Sequence, residues 1–147
     1  MNRFVQIIAS FFYIGYLPWA PGTVASFAAL FLAWIFNPAL PALFFIFCFL
    51  GFLVSRPAVQ VFADRDPARF VMDEVCGMML SVLWLPRILW VWAAALVLFR
   101  FLDIEKPLLI GRLQKRGRPL DIMWDDLAAG FAVNVLLQVL VFITGIT

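Results

Sequence analysis

The sequence contains no histidine. Catalysis through a histidine nucleophile or a histidine general acid is therefore excluded, and so is any metal site built on imidazole. Cysteine is scarce. Cys48 lies inside an apolar run and Cys76 follows an acidic pair, which is the spacing of neither a disulfide framework nor a zinc site, so two free thiols are expected. Cys76 also lacks the arginine six positions on that a cysteine-phosphatase loop carries, because Val82 stands there. Charge is the third shortage: 14% of the 147 residues are charged, while 65% are hydrophobic and 17% aromatic. Soluble domains carry about 25% charged residues and about 45–50% apolar ones. A soluble fold of this size cannot hide so much apolar surface, and a mean hydropathy of +1.02 describes a chain whose solvent is largely lipid. The net charge of +2 carries no signature of a nucleic-acid partner, and none is expected.

The apolar sequence falls into six runs: Phe4 to Tyr16, Thr23 to Phe36, Ala39 to Val54, Phe70 to Leu85, Ile88 to Leu102 and Met123 to Ile146. Pro18, Pro21 and Gly22 separate the first two, Asn37-Pro38 and Pro41 mark a tight turn before the third, and Pro86 divides the fourth from the fifth. The N-terminal segment has Arg3 and an apolar stretch but no small-x-small cleavage site, so it is expected to be retained. The expected fold is all-α, a polytopic integral membrane helix bundle forming one domain over residues 1–147. About five transmembrane helices are expected, plus an N-terminal interfacial or re-entrant helix. Several runs fall short of the ~20 residues that a perpendicular crossing needs.

With this topology the basic residues are one-sided. Arg3, the segment Ser55 to Arg69, and the segment Arg100 to Arg118 share a face that the positive-inside rule makes cytoplasmic, and Arg87 alone lies opposite. All nine acids fall on that same face: Asp64, Asp66, Asp73, Glu74, Asp103, Glu105, Asp121, Asp125 and Asp126. Acids contribute little to orientation, so insertion does not explain their absence from the other side.

Two of the acidic segments resemble one another. Asp73-Glu74-Val75-Cys76-Gly77 opens the fourth run and Asp125-Asp126-Leu127-Ala128-Ala129-Gly130 opens the last. In each, an aspartate (Asp73, Asp126) precedes a glycine by four residues, which sets a carboxylate and a bare backbone patch on one helical face. Asp103 ends the fifth run with Arg100 one turn before it. Taken singly, each acid reads as readily as a helix-dipole partner or half of an i,i+3 ion pair as it does as part of a site. Together they exceed what capping requires, and ionisable groups beside membrane helices usually face a bundle interior and mark a site. A carboxylate set without histidine or thiolate suits a hard cation, magnesium or manganese before zinc. Such an ion beside arginine and lysine is the usual arrangement for phosphoryl chemistry. Pro21-Gly22-Thr23 is a weaker element: proline suits a first helical turn whose free N–H groups can bind an anion, but a plain inter-segment loop fits as well. Asp64-Arg65-Asp66 precedes Pro67 and reads as a solvated loop rather than as an aspartyl-nucleophile motif.

Pro21-Gly22-Thr23, the stretch Phe70 to Met78, the stretch Phe99 to Pro107 and the stretch Ile122 to Gly130 together resemble the phosphatidylglycerophosphatase A family in order and spacing over nearly the whole chain. Ala25-Ser26, Leu108-Leu109 and the approach Gly117 to Asp121 depart from the family's usual pattern. The resemblance implies magnesium-dependent hydrolysis of the lipid phosphatidylglycerophosphate to phosphatidylglycerol and phosphate, in the bacterial inner membrane with the site facing the cytoplasm. It implies a catalytic acidic site of Asp73, Glu74, Asp103, Asp125 and Asp126; within it Asp73, Glu74 and Asp126 are expected to hold the metal, with Asp103 or Asp125 open to completing the shell or orienting water. It also implies phosphate contacts from Thr23, Arg100 and Lys106. Attack by water and attack by a carboxylate are both compatible with these residues. The alternative from another class is a small magnesium transporter or channel, since carboxylates at helix ends also bind permeating ions; the acid-free outer half argues against it.

Overall fold

A computed structural model describes residues 2–64, 67–105 and 120–146. Among them are six α-helices and no strand: α1 (Asn2–Ala9), α2 (Pro21–Ile35), α3 (Leu40–Phe62), α4 (Met72–Val82), α5 (Leu89–Glu105) and α6 (Asp121–Thr144). Short 3-10 turns at Ile14–Tyr16 and Asn37–Ala39 lead into α2 and α3. Proline starts both of these helices, at Pro21 in α2 and at Pro41 near the head of α3, where the missing N–H costs no hydrogen bond.

Contacts between helices set their directions. Asn134 of α6 donates through Nδ2 to the carbonyl of Ser81 in α4, an offset of 53 residues, and the pairs Gly77/Gly130 and Asp73/Asp126 share that offset and also meet. A constant offset means that α4 and α6 run parallel. Helix α5 runs against them, with Phe99 beside Gly77 and Arg100 beside Gly22 of α2. Helix α3 also runs against α4, because Gly51 faces Met72 while Cys48, earlier on α3, meets Cys76, later on α4. Helices α2 to α6 thus alternate in direction. The first turns of α2, α4 and α6 share one end of the bundle with the last turn of α5.

The outward surface is apolar. Phe31, Phe45, Phe49, Val97, Phe131 and Phe142 are all exposed. The spans Asn37–Phe62 and Asp121–Thr144 are long and apolar enough to cross a membrane, with mean hydropathy 2.2, and only 33% of each most apolar window is buried. A core helix of a soluble protein would be mostly buried, so lipid is the natural cover for the rest.

Two elements depart from the apolar runs. Helix α3 does not end near Val54 but continues through Pro57 to Phe62. Its extension buries Ser55 and Ala58 and packs against α1, so tertiary contact rather than lipid supports it. Helix α4 is shorter than its run, at 11 residues, or about 16 Å against a hydrocarbon core of about 30 Å. Its last carbonyls would be left without donors. Asn134 and Gln138, one turn apart on α6, supply them: Asn134 Nδ2 donates to Leu83 O at 2.8 Å and to Ser81 O at 3.3 Å, and Gln138 Nε2 donates to Leu83 O at 3.3 Å. Asn134→Leu is expected to lower stability by about 1–2 kcal/mol while leaving the chemistry of the opposite end within a few-fold of wild type, read by thermal melting in detergent beside activity.

At the acidic end the N-terminal segment folds back over the bundle. Phe11, Phe12 and Tyr13 all have positive φ, and the reversal is held by Ser10, whose Oγ accepts the N–H of Tyr13 at 3.1 Å. The N–H of Val71 donates to Ala9 O at 2.9 Å, and the Arg69 guanidinium lies 5.0 Å from the centre of the Tyr16 ring. These contacts tie the segment to the head of α4.

Candidate active site

The site is assembled by the parallel crossing of α4 and α6. A Cβ on Gly130 would collide with the backbone of Gly77, and a Cβ on Gly77 would lie 2.6 Å from both Asp126 O and the Phe99 ring. The backbones therefore touch where each helix carries glycine, as small residues allow in membrane bundles. One turn earlier on each helix stand Asp73 and Asp126, on the faces turned toward the crossing. Side-chain oxygens of Asp73, Glu74 and Asp126 come within 4.8 Å of one another. Two oxygens on opposite sides of a cation bound at ~2.1 Å lie about 4.2 Å apart, so small side-chain rotations suffice to close this set on a divalent ion. Asp73 and Asp126 are 8% and 4% exposed, a degree of burial at which three neighbouring carboxylates need a counter-charge.

That counter-charge has two sources. One would be a divalent cation held among the three carboxylates. The other is Arg100, on the last turns of α5, whose Nη1 is paired with Asp103 Oδ2 at 2.5 Å. Both side chains are largely buried, so the pair is fixed rather than a mobile surface contact. Arg100 Nε is buried without a hydrogen-bond partner among the described residues, as is Glu74 Oε2. A buried donor and a buried acceptor left open in the same small volume cost free energy unless something occupies them.

The third wall is the start of α2. A Cβ on Gly22 would collide with Glu74 Oε1 and come within 3.3 Å of Arg100 Nη1. With glycine there the α2 backbone approaches both groups, and a side chain would push the Glu74 carboxylate aside. The first-turn N–H groups of α2 have no acceptor within their own helix and stand at the acidic end.

A family model described as Phosphatidylglycerophosphatase A matches residues 7–141. The chain belongs to the phosphatidylglycerophosphatase A family. It is 34% identical over 143 residues to a phosphatidylglycerophosphatase A of Haemophilus influenzae, covering 92% of this chain and 88% of that protein. It is 32% identical over 132 residues to a phosphatidylglycerophosphatase A of Escherichia coli, covering 85% and 76%. A putative phosphatidylinositol-3-phosphatase of Bacteroides thetaiotaomicron is 31% identical over 157 residues, covering 95% and 94%. No solved structure matches the chain.

In this phosphatidylglycerophosphatase A family member the expected site residues are not all brought to one point. Asp73, Glu74 and Asp126 converge. Asp103 is outside that close set and binds Arg100 beside it, so the i,i+3 ion pair does form. Asp125 is buried at 2% exposure on α6, in the second turn rather than the first, because the helix begins at Asp121. The dipole reading of a first-turn acid therefore applies to Asp121 and not to Asp125 or Asp126. Thr23 is partly buried at the third position of α2, and the residue of that step that abuts Glu74 and Arg100 is Gly22. Lys106 lies outside the described residues, as does the Arg65-Asp66 part of the loop after α3.

Within the Pro21-Gly22-Thr23 step, sequence reasoning puts the contact on Thr23 and assigns no part to Gly22. Its signal was present as a glycine directly after the helix-starting proline, where nothing about the turn demands glycine, since its φ is ordinary. Gly22→Ala is expected to lower kcat/KM about tenfold or more by displacing the Glu74 carboxylate, with melting little changed, and steady-state kinetics beside a melting curve check this.

Proposed function

We propose that this chain acts as one membrane-embedded phosphatase that hydrolyses the phosphomonoester of phosphatidylglycerophosphate, releasing phosphatidylglycerol and inorganic phosphate. Asp73, Glu74 and Asp126 would hold magnesium. The observation that carries this reading is the juxtaposition of that carboxylate trio with Arg100, in a space where Glu74 Oε2 and Arg100 Nε have no partner among the described residues. An acid cluster alone would fit a cation site of any purpose. An acid cluster facing an anchored guanidinium fits a cation and an anion side by side.

The chain's own groups divide the work. Asp103 holds Arg100 in one orientation, so the guanidinium meets a phosphate without first losing rotamer freedom. The absent side chain at Gly22 leaves room for a phosphate oxygen beside Glu74, and the open first turn of α2 offers N–H donors to it. When bound, a divalent cation neutralises phosphate oxygens and lowers the pKa of a coordinated water. Asp125, buried beside Asp126 in sequence, is assigned with Asp103 to supporting that geometry.

The proposed topology has α2 to α6 crossing the bacterial inner membrane and α1 lying at its cytoplasmic face, with the site at that face. The alternation of helix directions supports it, and the open end of the site would then meet the lipid head groups while the acyl chains stay in the bilayer. No observation favours the cation-channel alternative. Among the described residues the opposite end carries Arg87 stacked 4.6 Å from the Trp34 ring and no carboxylate.

The test is phosphate release by purified protein in detergent, with phosphatidylglycerophosphate and phosphatidylinositol 3-phosphate offered separately, each with magnesium and with a chelator. Release from phosphatidylglycerophosphate that requires magnesium is expected, at a higher rate than from the inositol lipid. Release that survives chelation overturns the metal assignment, and no release from phosphatidylglycerophosphate overturns the activity.

A further inference from the structure

We infer that the groove between α2 and α5 seats one acyl chain of the lipid substrate and so aims its phosphate at Arg100. This rests on the phosphatase reading above and adds to it a site for the apolar part of the substrate.

The groove encloses about 480 Å³ and is lined by Phe27, Phe31 and Trp34 of α2, Ala93, Leu96 and Val97 of α5, and their apolar neighbours. The indole N–H of Trp92 in its wall is engaged with Pro86 O at 3.0 Å, so no unsatisfied polar group from that ring faces the space. The same two helices carry the anion end of the site. Val97 is three residues from Arg100 and Phe27 is five from Gly22, so the groove opens about 5–8 Å along the helix axes from the phosphate position. Farther along, Trp34 and Trp92 meet edge to face at 5.1 Å in its wall, with Arg87 against Trp34, and Leu89 lines it one turn beyond. Trp34 lies twelve residues from Gly22, or about 18 Å. A chain entering below a phosphate held at Arg100 thus finds an apolar trough that begins at the depth of the glycerol esters and runs along α5 as far as Leu89.

The other cavities lack this continuity. One of about 610 Å³ lies at the end opposite the acids, between Asn37, Trp84 and Gln138. Another of about 250 Å³ lies between α1 and the extension of α3, beside Pro57 and Gln60. Like the groove, neither includes a residue of the site itself, but the first stands at the far end of the bundle and the second between α1 and α3, which carry none.

Lipid tails are as apolar as the groove wall, so moving a chain from bilayer to groove yields little hydrophobic free energy. The contribution is orientation: a seated chain restricts the head group to poses in which the phosphate faces Arg100 and the carboxylates. The effect belongs in kcat/KM for long-chain substrate, and a substrate without long chains should not feel it.

Ala93 is exposed within the groove, so Ala93→Trp fills it without touching the site. We expect kcat/KM for dipalmitoyl phosphatidylglycerophosphate to fall about tenfold, while that for the dibutanoyl compound stays within twofold. An equal change in both, or no change in either, overturns the inference. A second measurement needs neither turnover nor the variant. Phosphatidylglycerophosphate with a photoreactive mid-chain group is crosslinked to wild-type protein in phosphatidylcholine vesicles with magnesium withheld, and the labelled peptides are mapped. Labelling of α2 and α5 that excess unlabelled phosphatidylglycerophosphate removes supports the inference. Labelling that this competitor leaves in place, or that a photoreactive phosphatidylcholine matches, shows bulk lipid in the groove and overturns it. Should wild-type protein release no phosphate from either substrate, the proposed activity fails, and the crosslinking still decides what the groove holds.

Discussion

Asp126→Asn is expected to abolish magnesium-dependent phosphate release while leaving the helix bundle folded. Replacing an outer-shell partner of a metal typically costs about 10–100-fold, so loss of a direct ligand should reach at least the top of that range. The substitution keeps the size of a side chain that is only 4% exposed and removes one of three carboxylates held within 4.8 Å. Without a cation those charges repel, so the variant should melt no lower than wild type in chelator. With magnesium the order reverses. Ligand binding stabilises a fold by about 2.7 kcal/mol at a hundred times its dissociation constant, and wild type should gain that shift while Asp126→Asn gains little. Melting curves with and without magnesium, beside phosphate release, therefore separate a lost ligand from a damaged fold. Retention of both the magnesium shift and the activity would remove Asp126 from the site.

The same contrast shows what sequence could and could not deliver here. The two aspartate-to-glycine spacings are local facts, visible as residues four apart, and each sets a carboxylate above a bare backbone patch on its own helix. Nothing local says that the patches meet each other. Their contact depends on α4 and α6 running parallel at an offset of 53 residues, which is fixed by α5 returning between them and by Asn134 reaching the end of α4. The apolar runs located the helices because lipid-facing stretches must be continuous, and that criterion failed where lipid is not the partner. It stopped α3 near Val54, although the helix continues through Pro57 on contacts with α1. It ran α4 past Val82, although Asn134 and Gln138 satisfy the carbonyls of a helix that ends early. Arg100 and Asp103 were legible as a pair from their i,i+3 spacing. Gly22 was not, because its neighbours Glu74 and Arg100 come from two other helices.

Gly130→Ala should damage the site through a single added methyl. The added Cβ would meet the carbonyl oxygen, carbonyl carbon and Cα of Gly77, which are backbone atoms that no rotamer change can move. Helices α4 and α6 must then separate, at a cost of about 1–3 kcal/mol for an overpacked core, and the separation carries Asp73 away from Asp126 one turn up. A misplacement of about 1 Å at a reacting centre can cost a hundredfold in rate, so activity should fall by about that factor even in protein that remains folded. Gly51→Ala is the matched control. Its Cβ would also lie close to its neighbours, at 2.7 Å from Met123 Cε and 2.8 Å from Met123 Sδ, but these atoms end a flexible side chain that can turn aside. Gly51→Ala should therefore keep activity within a few-fold of wild type. Equal loss in the two variants would mean that the glycine crossing does not set the distance between the carboxylates. Loss confined to Gly130→Ala, with the magnesium-dependent melting shift diminished in parallel, ties the metal site to the closeness of two backbones.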